Sequence, residues 1–210
     1  TGSDHAYLAT KLALERGVCG VATDLREGPC ERARKNVRQY GLCDKIKIYC
    51  RSGLDHVEDF APDNIIICGM GGELIAEILE NSEYPRSSRC RLILQPMSMQ
   101  DKLRRYLARE GYSISDERVV YDSGKYYQLI AAEYTGESSS LDEVEALLGP
   151  LNLKRAAASL SETDRGWLLS VSMAAKNRVS GRMKSDISQN SPEQLCDQSL
   201  ILRIDEMLRA

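Results

Sequence analysis

The stretch DNIIICGMGGELIAEILE, residues 63–80, decides the fold because it joins an apolar strand to an amphipathic helix through glycines. Residues 65–68 are all apolar, and a strand that is apolar on both faces is typical of the centre of a parallel sheet. After the glycines, apolar residues recur at helical spacing: Leu74, Ile75, Ile78 and Leu79. The stretch therefore predicts a strand, a glycine turn and a helix, which is the unit of doubly wound α/β folds.

The same alternation continues on both sides of this stretch. Strand patterns are found at 18–25, 45–50, 91–96, 112–121 and 125–134, and helix patterns at 7–17, 28–41 and 101–111. The last two strands are joined by the short turn DSGK, which predicts an antiparallel hairpin. The sequence thus predicts a doubly wound Rossmann-like sheet that ends in an antiparallel hairpin.

No further strand pattern follows the small polar linker TGESSS at 135–140. Apolar residues recur every three or four positions from 168 to 187, at Leu168, Val171, Ala175, Val179, Met183 and Ile187. A second helix is predicted from Ser191 as N-cap, with Pro192 and Gln194 behind it. We expect a sheet domain at 1–135 and an α-helical, coiled-coil-like domain at 141–210, with its two long helices antiparallel.

Composition excludes several classes of protein. No stretch reaches the roughly 18 apolar residues of a membrane span. Seven cysteines without a C-x-x-C pair, and only two histidines, argue against a disulfide framework and against a metal site. Most of the cysteines are expected to be small buried apolar residues in a reducing compartment, which favours a cytoplasmic protein. We expect a monomer.

The formal net charge of −3 gives no overall case for nucleic acid. The charges are nevertheless segregated: residues 26–51 hold eight Lys/Arg against three Asp/Glu, whereas residues 52–85 hold eight acids and no Lys or Arg. Separated faces of this kind can bind polyanions despite an acidic average. The alternative is that these residues form ordinary solvated helix faces.

The opening stretch TGSDHAY, residues 1–7, places a glycine turn before the first helix, and Asp24 ends the next predicted strand. An acid about twenty residues after such a turn accepts hydrogen bonds from ribose hydroxyls, so the pattern predicts a nucleoside-bearing cofactor. The turn lacks the G-x-G-x-x-G of dinucleotide sites. The first strand of the motif is expected before Thr1.

Each of these residues also has a structural alternative. Asp4 could be only the N-cap of the first helix, and His5 could be a structural hydrogen-bonding residue. Asp24 could be a solvated acid at a strand end. The glycines at 69–72 could form a plain tight turn or allow close packing of a helix on a strand.

Seven ordered motifs resemble one known family. They are GSDHAYL (2–8), DLREGP (24–29), IIICGMGGELIAEIL (65–79), LILQP (92–96), LRRYLAREGY (103–112), GKYYQLI (124–130) and LLGP (147–150). In this order they resemble the bacterial tRNA (adenine-22, N1)-methyltransferases. The resemblance implies a class I S-adenosylmethionine-dependent methyltransferase domain followed by a helical domain, with tRNA as the partner.

The resemblance also implies roles for individual residues. The implied cofactor-binding residues are Gly2, Ser3, Asp24, Leu25, Ser52, Gly53, Gly69, Met70, Gly71 and Gly72. The implied catalytic residues around the methyl group and the base are Asp4, His5, Tyr7, Gln95 and Pro96. The chain departs from the family where Gly-Asp-Gly-Leu is usual and residues 51–54 read Arg-Ser-Gly-Leu, and where Met97 stands in place of an asparagine.

The implied reaction needs little from side chains. The N1 lone pair of adenine is free at neutral pH, so it can attack the methyl group without deprotonation, and catalysis is expected to rest on positioning and a dry cleft. Two other classes of protein stay open from the residues themselves. A nicotinamide oxidoreductase would share the sheet and Asp24, and a non-catalytic RNA-binding module would share the basic patches.

Overall fold

The computed structural model describes residues 5–184 and 191–209. The strands are β1 (Gly20–Asp24), β2 (Ile46–Cys50), β3 (Asn64–Gly71), β4 (Arg91–Ser98), β5 (Tyr112–Asp122) and β6 (Lys125–Tyr134). The helices are α1 (Tyr7–Arg16), α2 (Glu27–Gln39), α3 (Gly72–Glu80), α4 (Tyr84–Ser88), α5 (Gln100–Arg109), α6 (Glu143–Leu148), α7 (Pro150–Ala158), α8 (Glu162–Lys184) and α9 (Pro192–Arg209). A single 3-10 turn covers Val57–Phe60.

The strands form two sheets. β1 pairs with β2 in parallel, and the second sheet has the order β3-β4-β6-β5. β3 and β4 are parallel, whereas β6 is antiparallel to both of its neighbours. The predicted hairpin is confirmed, since β5 and β6 pair from Tyr112 and Tyr134 down to Asp122 and Lys125. The strands therefore have a Rossmann-like arrangement with an antiparallel ending, divided into two separately hydrogen-bonded sheets.

The main core lies around β3 and β4. Ile65 and Ile67 of β3 are buried against β4, and helices α3 and α5 cover this pair. Ile75 and Leu79 of the predicted helical stripe are buried, but Leu74 is exposed. Leu74 lies in the first turn of α3, on a different face of the helix from Ile75 and Leu79.

A smaller core joins α1 and α2 to β1 and β2. The predicted stripe of α2 is confirmed, since Cys30, Ala33 and Val37 are buried. The expectation that most cysteines are buried is wrong: only Cys30 and Cys90 are buried among the seven, which are all free thiols. Several cysteines instead lie at strand ends or in turns, where no second layer covers them.

A buried ion pair joins the sheet to the helical region. Arg104 of α5 and Glu117 of β5 are both fully buried, and Nε of Arg104 donates to Oε1 of Glu117 at 2.7 Å. Arg104 also donates to Gln128 Oε1 at 2.6 Å and to the carbonyls of Ala146 and Leu147 at 2.9 and 3.1 Å. We call this cluster the joint.

The first turn of α7 completes the joint. Glu117 Oε2 accepts hydrogen bonds from the amides of Leu151 at 2.9 Å and Asn152 at 3.4 Å. Arg155 donates to the carbonyl of Glu117 and to Asp164 Oδ1, the latter at 3.0 Å. Neither α6 nor α7 was predicted, and both contact β5 or α5 across the predicted boundary at 135–141. That boundary stays a prediction.

The two long C-terminal helices pack antiparallel, as predicted. Lys176 of α8 pairs with Asp205 of α9 at 3.3 Å, whereas Arg182, further along α8, pairs with Asp197, earlier in α9. The Ser191 hydroxyl accepts from the Gln194 amide at 3.2 Å, which confirms the predicted N-cap. Ile187 and the side chain of Met183 lie outside the described residues. None of the helices in the described ranges is long and apolar enough to cross a membrane.

Candidate functional site

Most of the predicted site residues lie at the carboxyl ends of β1 to β4. Asp24 ends β1, Ser52 and Gly53 follow β2, and the glycine stretch ends β3. Gly53 lies between β1 and α3 here, because its carbonyl accepts from Thr23 at 3.4 Å and a Cβ on Gly53 would lie 3.3 Å from the Ile78 side chain. In doubly wound folds, ligands bind at this edge. We call it the carboxyl edge.

Asp24 is held in place but keeps one free acceptor. Its Oδ1 accepts from the Arg26 amide at 3.1 Å, and its carbonyl accepts from the Arg51 amide at 2.9 Å. The second carboxylate oxygen has no hydrogen-bond partner within residues 5–184 and 191–209, and 9% of Asp24 is exposed. The next residue, Leu25, is 71% exposed. A fixed carboxylate beside an exposed apolar side chain suits a ribose and its base.

Gly69, near the end of β3, and Gly72, at the start of α3, are glycines for different physical reasons. Gly69 has φ +79°, a conformation that favours glycine, and its amide donates to Gln95 Oε1 at 2.9 Å. Gly72 starts α3, and a Cβ there would overlap the carbonyl oxygen of Met99. Close contact between the starts of α3 and α5 therefore accounts for Gly72, while Gly69 lies inside β3 at a break in its register with β4. Met70 and Gly71 complete the end of β3.

Gln95 and Pro96, predicted to border a base, lie at the end of β4. The Gln95 amide is used by the protein: Oε1 accepts from Gly69, and Nε2 donates to the Pro96 carbonyl at 3.3 Å. Pro96 is buried. Gln95 therefore holds Gly69 in place near the end of β3. Two apolar side chains are exposed at this place: Met97, which the sequence marked only as a departure from the family, and Met99, to which the sequence gave no role.

The opening stretch is described only from His5. Gly2, Ser3 and Asp4 lie outside the described residues. The rings of His5 and Tyr7 are stacked, with centroids 5.0 Å apart, and Tyr7 is exposed. The His5 carbonyl accepts from Asn36 Nδ2 at 2.9 Å, so the start of α1 is anchored to α2.

The thiol at the carboxyl edge is held protonated. A hydrogen bond with the Glu27 carboxylate, together with desolvation, raises the pKa of Cys50 to about 12. Its Sγ donates to the Leu25 carbonyl at 3.4 Å. At neutral pH Cys50 is therefore not a thiolate nucleophile. No group of three potential metal ligands occurs in the described part of the chain.

The cations of the helical region are mostly engaged within the protein. Arg178 and Arg182 pair with Asp197, Lys176 with Asp205, and Arg155 with Asp164. Lys154 lines a cavity of about 640 Å³ between α6, α7 and α9, which contains no predicted site residue. These pairs leave Arg178 and Lys176 half-exposed, so their charges still face solvent.

Comparison with known proteins identifies the family. The family model described as tRNA (adenine(22)-N(1))-methyltransferase matches residues 1–195. The chain belongs to this methyltransferase family. The Bacillus subtilis tRNA (adenine(22)-N(1))-methyltransferase is 34% identical over 151 residues, which cover 71% of this chain and 63% of that protein. The match thus spans less than two thirds of this relative.

Solved structures of the same family superpose on nearly the whole chain. The Streptococcus pneumoniae putative tRNA (m1A22) methyltransferase is 32% identical with a TM-score of 0.81, and the match covers 99% of this chain and 90% of that one. Its structure in complex with S-adenosyl-L-methionine is 30% identical with a TM-score of 0.79, with the same coverage.

Arg51 also lies at the carboxyl edge, although the sequence pattern assigned it no role. Its guanidinium carbon lies 4.4 Å from the ring centroid of Tyr49 and 5.6 Å from that of Phe60. Ser52, which stands where the family usually has an acid, is exposed, and its carbonyl accepts from Asp55 at 2.9 Å. One feature of the sequence could have indicated a role for Arg51: it is a cation at a position where the family motif has glycine.

Proposed function

We propose that this chain transfers a methyl group from S-adenosylmethionine to N1 of an adenosine in tRNA, at position 22. The observation that carries the proposal is the free carboxylate oxygen of Asp24 at the carboxyl edge, in a chain that belongs to this family. A relative with the same fold is described in complex with S-adenosyl-L-methionine.

The residues of the carboxyl edge fit this cofactor. Asp24 offers an acceptor to a ribose hydroxyl, and exposed Leu25 offers apolar contact to the base. Ser52 and Gly53 follow the neighbouring strand, and Gly69, Met70, Gly71 and Gly72 lie where the reacting end would be held. Bound there, S-adenosylmethionine supplies a methyl group on a positively charged sulfur.

The chain's own residues orient the base and exclude water. N1 needs no general base, so the contribution of the protein is positioning together with stabilisation of the charge that develops on adenine. Asp4 is proposed for that charge, with His5, Tyr7, Gln95 and Pro96 around the base. Because N1 lies on the pairing edge, the base must leave its stack. The exposed apolar side chains of Met97 and Met99 suit an unstacked base.

The helical region, residues 141–210, is proposed to hold the body of the tRNA. Lys154 and the exposed parts of Lys176 and Arg178 offer positive charge to phosphates. Lys184 belongs to the same cationic group by sequence. A tRNA substrate also supports a cytoplasmic location, and we propose that the chain acts as a monomer without a metal.

The test is methylation of unmodified tRNA that carries an adenosine at position 22. Expected are one added methyl group per tRNA and its mapping to N1 of that base by mass spectrometry. A methyl group on another nucleotide would refute the assignment of position 22. Absence of any methyl transfer would refute the proposed enzymatic activity.

Calorimetry separates the two other classes. Binding of S-adenosylmethionine but not of a reduced nicotinamide cofactor excludes the oxidoreductase, and any binding of S-adenosylmethionine counts against a non-catalytic RNA-binding module. Binding of neither cofactor would contradict the proposal.

A further inference from the structure

The guanidinium of Arg51 carries a buried donor without an acceptor. Its Nη1 is shielded from water and has no hydrogen-bond partner among residues 5–184 and 191–209. The group lies against the rings of Tyr49 and Phe60, which are themselves 5.1 Å apart. An arginine remains protonated in proteins, and leaving a buried donor unpaired costs free energy. An acceptor atom brought by a ligand would recover that cost.

Arg51 lies directly beside Asp24. The Arg51 amide donates to the Asp24 carbonyl at 2.9 Å, which continues the pairing of β1 with β2. A nucleoside whose ribose is held by Asp24 has its base on one side and its 5′ substituent on the other. Since the glycine stretch after β3 is proposed to hold the reacting end, the base points toward β2 and Arg51.

We propose that Arg51 binds the purine base of the cofactor and recognises it through the acceptor atoms of the ring. This inference rests on the proposed S-adenosylmethionine site. A guanidinium only donates, so it pairs with the ring nitrogens of adenine and not with the N6 amine, which is also a donor.

The turn at residues 51–54 holds no carboxylate that could accept from N6. Ser52 is exposed, and a hydroxyl both donates and accepts, so it does not distinguish an amine from an oxygen at position 6. An oxygen at that position would place two acceptors, O6 and N7, side by side, which is the pair that arginine binds with two hydrogen bonds in guanine. The site should therefore tolerate hypoxanthine in place of adenine.

Because Nη1 is shielded from water, binding of the base requires the guanidinium to rotate or a neighbouring ring to shift. Phe60 ends the 3-10 turn that starts at Val57. The residues on either side of this turn, His56 and Ala61, have φ values of +55° and +40°, which non-glycine residues seldom adopt.

Calorimetry with S-adenosylhomocysteine and its deaminated form, S-inosylhomocysteine, tests the proposal. The wild type is expected to bind the two ligands within about threefold of each other, and Arg51→Ala to weaken both by about tenfold or more, as loss of a hydrogen bond to a charged group does. The matched control is Lys47→Ala, which removes an exposed cation near the start of β2, the strand that Arg51 follows, and should leave both affinities unchanged.

A second variant tests the direction of base discrimination. Arg51→Gly combined with Ser52→Asp places an acceptor where the family has it and removes the donor. It should bind S-adenosylhomocysteine about tenfold or more tighter than S-inosylhomocysteine, because a carboxylate accepts from N6 and repels O6.

Thermal melts check that each variant is folded. If Arg51→Ala is unfolded at the assay temperature, Arg51→Gln is used, which keeps a planar donor without the charge and should give an intermediate loss.

The outcomes separate the two proposals. A wild type that binds S-adenosylhomocysteine, with Arg51 variants of unchanged affinity, overturns the role of Arg51 and leaves the proposed function standing. A strong preference of the wild type for the adenine form also overturns it, as does an equal loss in Lys47→Ala. A wild type that binds neither ligand overturns the proposed function and this inference together.

Discussion

Arg104 at the joint and Arg51 at the carboxyl edge carry the same side chain in opposite states. Arg104 is fully buried and makes hydrogen bonds through all three of its nitrogens. Arg51 has a buried Nη1 with no acceptor in the described part of the chain. A buried charge is tolerated when its hydrogen bonds are complete, so a completed cluster stabilises the fold, whereas an incomplete one marks a place for a ligand. The two regions should therefore respond to substitution in different ways.

The largest effect is expected from Arg104→Met at the joint. Removing one partner of a buried ion pair leaves Glu117 charged and partly unpaired, so the free energy of unfolding should fall by about 3–5 kcal/mol. Urea denaturation followed by the fluorescence of Trp167, the one tryptophan of the chain, measures it. Arg118→Ala, which removes the exposed pair with Asp116 on the same strand, is the control and should cost at most about 1 kcal/mol. A loss of less than 1 kcal/mol in Arg104→Met would show that the joint does not hold the fold.

Two glycines sharpen the comparison between the regions. Gly149 at the joint and Gly69 at the carboxyl edge have φ values of +90° and +79°, so alanine strains both backbones by roughly 1–2 kcal/mol. A Cβ on Gly149 would also overlap the Glu117 carboxylate, whereas nothing in the described structure lies within 4 Å of a Cβ on Gly69. Gly149→Ala should therefore be less stable than Gly69→Ala by about a further 1–3 kcal/mol. Equal melting temperatures for the two variants would contradict the tight packing at the joint.

Asp24→Ala should affect binding and leave stability nearly unchanged. Losing a charged hydrogen-bond partner should weaken S-adenosylmethionine binding by about 1.5–3 kcal/mol, measured by calorimetry. The Arg104→Met variant, assayed while still folded, should bind S-adenosylmethionine with wild-type affinity. Arg104→Met is thus expected to lower stability and not binding, whereas Asp24→Ala is expected to lower binding and not stability. Unchanged affinity in Asp24→Ala would remove Asp24 from the site.

The smallest effect is expected at the contact between α8 and α9, and it depends on pH. Burial opposes ionisation of Asp197, but hydrogen bonds from Arg178 and Arg182 outweigh it and lower the pKa of Asp197 below its usual value of 3.8. A lowered pKa adds stability above the unfolded value, and this stability is lost as the pH falls through the folded value. Asp197→Asn should cost about 1 kcal/mol at pH 7, and this cost should shrink as the pH falls below 3.8, the usual pKa of the carboxyl group. A cost that does not change with pH would show that the charge of Asp197 contributes nothing.

The comparison also explains which elements the sequence predicted. Alternating or continuous apolar patterns predicted all strands of the described part of the chain, because such patterns are local properties that burial on one or two faces imposes. Helices α6 and α7 were missed, since they are short and have no long apolar stripe. Their places are fixed by Arg104 and Glu117, two charges that a sequence pattern assigns to the surface.

The residues of the site divide in the same way. The sequence by itself predicted that Asp24 ends a strand and that the glycine stretch lies between a strand and a helix, because strand ends are set by neighbouring residues. Only the tertiary structure decided that Gln95 accepts the Gly69 amide, and that Arg51, beside the rings of Tyr49 and Phe60, has a buried donor without an acceptor among the described residues. Those states depend on residues that are distant in sequence. Whether a polar group is satisfied is a property of the packed chain, and no local pattern encodes it.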